Sequence, residues 1–408
     1  MLRTATDFFA PRTADAVTWR HWVLLAASLW TTAAGSTIVM GAAFLLPTLH
    51  TDLGLSLAHA GLVVAMPQVG ILTALIAWGY VVDRVGERFV LVAGLTVTTA
   101  AVAGAMVSGS LWLIAAFFFL AGGGAASTNS ASGRVVVGWF PAHRRGLAMG
   151  VRQMSTPLGA AIGAMTMPVL AQRHGLAAAL AVPALACAVG IVTTLLLVAD
   201  PDRPARTARG ADGLAANPYV GVDYLWRIHG VSLLLVIPQT LMSAFTLVWL
   251  MAGHGWSAAA AGAVVTVGQL LGAAGRIVAG AWSDRLGSRM RPLRIVAIAA
   301  ALTAVALAVS EGMGAYGLAV AVAIAIALTV VSVADNGLAF TAVAEYAGPF
   351  WSGRALGMQN TSQFIAMATV TPAFGYLIER AGYAWAFAAT ALVAAVAVPL
   401  VPRADRAR

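Results

Sequence analysis

Residues 79–88 read GYVVDRVGER and residues 280–289 read GAWSDRLGSR, the same G-x-x-x-D-R-x-G-x-R plan at an offset of 201. The offset carries Gln68 onto Gln269 as well. Farther along it becomes 207, pairing Asn129 with Asn336, Gly146 with Gly353, Gly150 with Gly357 and Arg173 with Arg380. The six extra residues are taken up by the loop after Arg289. Each copy of the ten-residue stretch closes a long apolar run, so the chain reads as two versions of one helical design.

The rest of the sequence says what those runs are. Of 408 residues, 60% are hydrophobic and 10% charged, with a mean hydropathy of +0.87. Soluble domains carry about 25% charged residues, so a water-soluble protein is excluded. A bilayer core needs about 20 apolar residues per helix. Runs of that length fall near 22–46, 59–82, 89–108, 111–140, 147–171, 176–199, 228–252, 258–282, 293–310, 314–342, 355–378 and 383–401. The expectation is an all-α membrane protein of twelve helices, TM1 to TM12. A tail (1–21) precedes a six-helix bundle (22–199), a Pro-, Arg-, Asp- and Gly-bearing tether (200–227), a second six-helix bundle (228–401) and a tail (402–408). The first run is too long for a signal peptide and stays in place as TM1.

All 24 basic residues are Arg and none is Lys. A Walker A loop and Schiff-base chemistry both need that amine, so an ATPase acting alone, a pyridoxal enzyme and a retinal pigment are excluded. The net charge of +9 is a topology signal, not the mark of a nucleic-acid partner. Nineteen arginines fall on one side of the spans and two, Arg173 and Arg380, on the other. The imbalance places both termini and the 200–227 loop in the cytoplasm. Arg without Lys points to a GC-rich bacterial genome and so to an inner membrane. Cys187 is the single cysteine, which excludes a disulfide or Cys-based metal site, and the histidines share no ligand spacing. No cofactor is implied. The G-x-G-x-x-G at 312–317 lacks a preceding strand, and the sequon at 360–362 lies inside TM11.

On these residues the chain resembles the major facilitator superfamily, whose fold is two pseudo-symmetric six-helix bundles around a site near the bilayer midplane, functional as a monomer. The resemblance implies that Asp83 and Asp284, with Arg84, Arg88, Arg285 and Arg289, latch against the starts of TM11 and TM5. A helix start welcomes a carboxylate because its N–H groups are unpaired. Two features depart from the superfamily's proton antiporters. Phe117, Phe118 and Phe119 stand where TM4 of those proteins carries an Arg before Gly122, Gly123 and Gly124, and the TM5 motif is only approximated between Gly150 and Gly159. The first counts against a drug exporter, and a genuine antiporter helix at TM5 would favour one.

Inside the spans, Arg276 of TM8 resembles the arginine that binds the substrate anion in oxalate, monocarboxylate and nitrate carriers of the superfamily. Gln269 lies two turns before it. A buried Arg costs about 2.5–3.5 kcal/mol on insertion scales and calls for an anionic partner; the alternative is a structural pair. Asp335 is the only acid well inside a span. Burial favours a neutral carboxyl and a nearby cation the charged form, so Asp335 is either the proton site or the partner of Arg276, Arg152 or Arg134. Asn336, Asn129, Gln239, Gln68, Gln359 and Gln363 are candidate substrate contacts, each with interhelix bonding as its alternative. Arg134 and Arg152 read as gate or anchor residues with snorkelling side chains. Glu345 reads as a partner of Arg285, Arg289 or Arg354. Together these make a proton-coupled secondary carrier of a small anion, most simply a carboxylate. The alternatives are a proton-coupled exporter and a non-transporting sensor on the same scaffold. An enzyme would need convergent catalytic groups that one deep acid does not supply.

Overall fold

The structure, a computed structural model, describes residues 17–51, 56–201, 216–313 and 318–406. Arg3, Arg12, Arg203, Arg206, Arg209, Arg408 and most of the 312–317 turn lie outside the described residues. The long helices are Trp19–Gly41 (TM1), Leu57–Val85 (TM2), Glu87–Met106 (TM3), Leu111–Trp139 (TM4), Ser155–Leu197 (TM5 and TM6), Tyr224–Val248 (TM7), Ala258–Leu286 (TM8), Met290–Gly312 (TM9), Leu318–Ala347 (TM10), Ser352–Ala381 (TM11) and Tyr383–Leu400 (TM12). A short helix, Arg145–Arg152, leads into TM5.

Among the described residues, ten helical stretches are long and apolar enough to cross a membrane by themselves. Two physical facts reconcile ten with twelve. Residues 142–197 count as one stretch but break at Gly175, whose φ of 81° is not helical and separates TM5 from TM6. TM11 falls short because Gln359, Asn360, Thr361, Ser362 and Gln363 lower its apolarity. Gly382, 207 positions after Gly175, makes the same kind of turn (φ 84°) between TM11 and TM12. Only glycine adopts that backbone without a Cβ penalty.

The chain forms two compact units. Unit 1 is Met1–Pro141, Val151–Ala216 and Ala347–Thr361; unit 2 is Ala142–Gly150, Asn217–Tyr346 and Ser362–Arg408. Two short segments, 142–150 and 347–361, thus group with the half to which their sequence neighbours do not belong.

Each unit is apolar outside and mixed inside. Val107, Met165, Leu185, Leu270 and Leu392 are each more than 60% exposed, as a lipid-facing surface requires. Buried side chains in unit 1 include Ser28, Thr31 and Thr32 of TM1 and Ser127, Thr128, Ser130 and Ser132 of TM4. Several give their hydroxyl to a carbonyl one turn back, as Thr32 does to Ser28 at 3.1 Å and Thr37 to Ala33 at 3.0 Å. Backbone already bonded along the helix thereby accommodates them. In unit 2, Leu241, Trp249, Leu250, Leu307, Leu328 and Phe387 form a packed core joining TM7, TM9, TM10 and TM12.

Candidate functional site

TM8 and TM10 meet along a seam of glycines in unit 2. A Cβ on Gly272 would lie 3.2 Å from Val333 Cγ2, and one on Gly275 would lie 2.9 Å from Val330 Cγ1. Larger residues would push the helices apart. Next along TM8 comes Arg276, only 8% exposed, and next along TM10 comes Asp335, 1% exposed. Arg276 is the charged group whose field Asp335 feels, yet Arg276 Nε and both Asp335 oxygens lack a hydrogen-bond partner. The hydrogen-bonded ion pair of Asp335 with Arg276, Arg152 or Arg134 that the sequence left open is therefore not formed. Leaving buried charged groups without partners costs several kcal/mol unless something else completes them.

Beside this pair the amides are occupied. Asn336 donates to Gln239 Oε1 at 2.9 Å, and Gln363 Nε2 donates to Asn336 Oδ1 at 3.0 Å and to Ser232 Oγ at 2.7 Å. The ladder ties TM7, TM10 and TM11 together and fixes the rotation of TM10 one residue from Asp335. Gln269 is exposed and lines a small cavity with Met242, Thr246, Gly268 and Thr329 at the other end of the same seam. In unit 1, Gln68 is exposed, Asn129 is buried, and Gln359 is fully buried.

Arg152 and Arg134 do not snorkel. Arg152 is 1% exposed and donates to Ser132 Oγ (2.9 Å), the Asn129 carbonyl (3.1 Å) and Gln153 Oε1. Arg134 is 4% exposed and joins Asp83, Glu87 (2.7 Å) and the Pro349 carbonyl (2.9 Å). Both have ample polar contact within their unit, so reaching for the headgroups would gain nothing.

The repeated loops build a charged cluster in each unit. In unit 1, Asp83 accepts the backbone N–H of Gly353 (2.8 Å) and Arg354 (3.1 Å) at the start of TM11, and the Arg354 Nε (2.8 Å). In unit 2, Asp284 accepts the backbone N–H of Gly146 (2.9 Å) and Leu147 (2.8 Å) at the start of the helix leading into TM5. Arg289 bonds Asp284 (2.6 Å), Glu345 (3.1 Å) and the Ala142 carbonyl (2.8 Å). Glu345 also pairs with Arg145 at 3.5 Å; among the partners expected for it, Arg289 is present and Arg285 and Arg354 are not. Burial alone would press the Arg289 pKa down, but the carboxylates of Glu345 and Asp284 hold it above the ordinary arginine value. Arg88 donates to the Leu195 carbonyl at 2.5 Å, and Arg84 stacks 4.1 Å over the Tyr80 ring. Arg285 is exposed.

Two further acids escaped the sequence reading. Asp200 Oδ1 accepts the N–H groups of Glu87 (2.6 Å) and Arg88 (2.8 Å) at the start of TM3. Asp405 Oδ1 does the same for Arg289 (2.8 Å) and Met290 (3.2 Å) at the start of TM9. Burial pushes the Asp200 carboxyl up from its ordinary pKa, the neighbouring Glu87 charge adds to this, and the donated N–H bonds oppose it. Their separation of 205 lies between the two repeat offsets, a signal that was legible but unused.

This scaffold of paired helical units, duplicated loops and buried charges between apolar spans defines a polytopic transporter. The chain belongs to the Major Facilitator Superfamily, whose profile matches residues 24–371; its members carry small molecules across membranes and are not enzymes. It is 48% identical over 383 residues to an uncharacterized MFS-type transporter, Rv2994, of Mycobacterium tuberculosis (strain ATCC 25618 / H37Rv), covering 94% of this chain and 85% of that one. Among solved structures it is similar to the proton:xylose symporter XylE (TM-score 0.76, 14% identity, 94% of this chain and 96% of that one). It is also similar to the fucose:proton symporter FucP of E. coli (TM-score 0.71, 16% identity, 93% and 98%). The human organic anion transporter MFSD10 is a third such structure (TM-score 0.71, 16% identity, 94% and 99%).

Proposed function

We propose that this transporter moves a small organic anion, a carboxylate, together with a proton, by exposing one central site alternately to the two sides of the membrane. The observation that carries the reading is the Arg276 and Asp335 pair, deeply buried and with Arg276 Nε and both Asp335 oxygens unpartnered. A guanidinium supplies only donors, as a carboxylate ligand needs. An ionised Asp335 supplies only acceptors and repels that ligand. Once protonated it gains a donor, so anion and proton favour each other's binding. Proton symport and organic anion transport are what XylE, FucP and MFSD10 are described as performing; at 14–16% identity they support the scaffold, and Arg276 and Asp335 support the chemistry.

In the proposed cycle Arg276 holds the anion, Asp335 takes the proton, and the residues of both charged clusters (Asp83, Arg84, Arg88, Arg134, Arg354; Asp284, Arg285, Arg289, Glu345) and Arg152 act as gates. The orientation follows the arginine imbalance: both termini face the cytoplasm of a bacterial inner membrane, and the monomer is the working unit. A charge-assisted hydrogen bond contributes about 1.5–3 kcal/mol, whereas micromolar to millimolar binding takes about 8 to 4 kcal/mol. Arg276 therefore needs help, and Gln269, two turns before it on the same helix, is the amide proposed to give it.

The test is uptake in proteoliposomes. Asp335→Asn should abolish accumulation driven by a proton gradient and leave anion exchange intact. Arg276→Gln should weaken binding by about 30-fold or more. Wild-type accumulation by the first variant, or wild-type binding by the second, would reject the reading.

A further inference from the structure

The first arginine of the repeated loop has different surroundings in the two units. In unit 1 the Arg84 guanidinium lies 4.1 Å from the centre of the Tyr80 ring, and the Arg354 guanidinium lies 5.7 Å from the centre of the same ring. Arg354 also stacks 3.5 Å over Trp351. In unit 2 the repeat places Ala281 where Tyr80 stands, Leu147 where Arg354 stands and Arg144 where Trp351 stands. Arg285, the counterpart of Arg84, thus has no ring at that position. Asp83 and Asp284 nonetheless both accept the backbone N–H groups of a helix start. The loop's shared contact forms without the tyrosine and the second arginine, so their presence in unit 1 alone calls for another reason.

The charges of unit 1 leave Arg84 over. Asp83 and Glu87 are matched by Arg134 and Arg354, and Asp200 and Arg88 meet at the start of TM3. Arg84 is exposed, with no hydrogen bond and no carboxylate partner among the described residues. Arg354 commits Nε to Asp83 and Nη2 to the Phe350 carbonyl (2.7 Å), which leaves Nη1 uncommitted. The shared ring keeps the two guanidinium carbons within about 10 Å of each other. Like charges that close repel, and an anion beside them offsets the cost. Arg84 stands one residue before the end of TM2, the depth at which headgroups lie. Its neighbours Tyr80 and Val85 are exposed, and Phe89 is 59% exposed where its counterpart Met290 is 1% exposed. Acyl chains can cover such an apolar border. Basic groups between helices at this level suit a lipid phosphate, to which a guanidinium offers two parallel N–H donors. Stacking on Tyr80 orients Arg84 before the ligand arrives. We propose that Arg84, Arg354 and Tyr80 bind the phosphodiester headgroup of an anionic phospholipid, in the cytoplasmic leaflet under the orientation given above.

The test is lipid retention by the purified full chain, read by native mass spectrometry with phosphatidylglycerol against phosphatidylcholine, and with glycerol 3-phosphate as a soluble competitor. The wild type should retain phosphatidylglycerol about 10-fold or more in preference to phosphatidylcholine. Arg84→Gln should remove most of that preference and Tyr80→Leu should weaken it several-fold, while Arg285→Gln should keep it. Should a variant fail to fold, the wild type itself carries the test: its preference should fall as salt rises in the solution from which the lipid is bound. Equal retention of the two lipids, an undiminished preference in folded Arg84→Gln, or a preference insensitive to salt would overturn the site. An equal loss in Arg285→Gln would overturn it in favour of net positive charge. Displacement of the lipid by millimolar glycerol 3-phosphate would overturn the lipid assignment in favour of a soluble phosphate ligand. Neither substrate nor proton gradient enters the measurement, so its failure leaves the anion-carrier reading in place, and the failure of that reading leaves the lipid site in place.

Discussion

The two copies of the G-x-x-x-D-R-x-G-x-R loop perform one task with opposite charge arrangements. In unit 1 the acid Glu87 stands at the start of TM3 and the base Arg134 on TM4; in unit 2 the base Arg289 stands just before TM9 and the acid Glu345 on TM10. Both arginines donate Nη2 to a carbonyl, Pro349 in one and Ala142 in the other, which are themselves 207 residues apart. The guanidinium is needed at that point, and the fold accepts it from either of two neighbouring helices. Dryness differs as well. The side chains of Asp83, Glu87 and Arg134 are at most 3% exposed, whereas Glu345 is 24% exposed. Duplication preserved the geometry of the contact, and divergence set how strongly water weakens it.

That difference in dryness should appear most strongly when an arginine is removed. Arg134→Gln takes the guanidinium from buried Glu87 and leaves Asp83 only that of Arg354, and should cost about 3–5 kcal/mol, while Arg289→Gln, with Glu345 partly wetted, should cost about half of that. Detergent-solubilised protein unfolded by heat or guanidinium will rank the two; equal losses would break the comparison. The next effect is the coupling within each pair. A double-mutant cycle on Glu87 and Arg134 should return about 1.5–3 kcal/mol, and one on Glu345 and Arg289 about 1 kcal/mol or less, shrinking further in high salt.

The smallest effect sharpens the comparison at the helix caps. Asp200 has its folded-state pKa raised by burial and by Glu87. A raised carboxyl favours the folded state while protonated, and this advantage is lost as pH rises from the ordinary carboxylate range through the raised value. Asn can accept the same N–H bonds, so Asp200→Asn should match the wild type at low pH and equal or exceed its stability above neutrality. The gain should be about 1 kcal/mol or less. A stability difference between the two that does not change with pH would contradict the sign.

Much of the architecture was readable from residue order because a bilayer leaves few options. Apolar runs of spanning length must be helices, so the runs and the repeat marked the spans, while the turns at Gly175 and Gly382 emerged from the backbone. TM11 was read as an apolar run near 355–378, although its amides make it too polar to count as a span by composition alone. The clusters were readable only in part. Asp83 and Asp284 stood out through their shared motif, while Glu87, Asp200, Asp405 and Arg145 had no motif of their own and acquire partners only when distant helix ends meet. The side-chain directions of Arg134 and Arg152 differ from the snorkelling expected for a related reason. Depth along a helix is visible in the sequence, but the direction of a side chain depends on neighbours that it does not display.

Residue order alone therefore determined that this chain crosses a membrane as a duplicated helical carrier, because hydrophobic length and charge asymmetry act locally on each segment. Tertiary packing decided the chemistry inside it. The glycine seam left Arg276 and Asp335 buried in unit 2, with Arg276 Nε and both Asp335 oxygens without hydrogen bonds, and the amide ladder took Asn336, Gln239 and Gln363 for itself. Whether a buried polar atom is satisfied depends on angles and distances of tenths of an ångström between helices far apart in sequence, and no pattern along the chain encodes those directly.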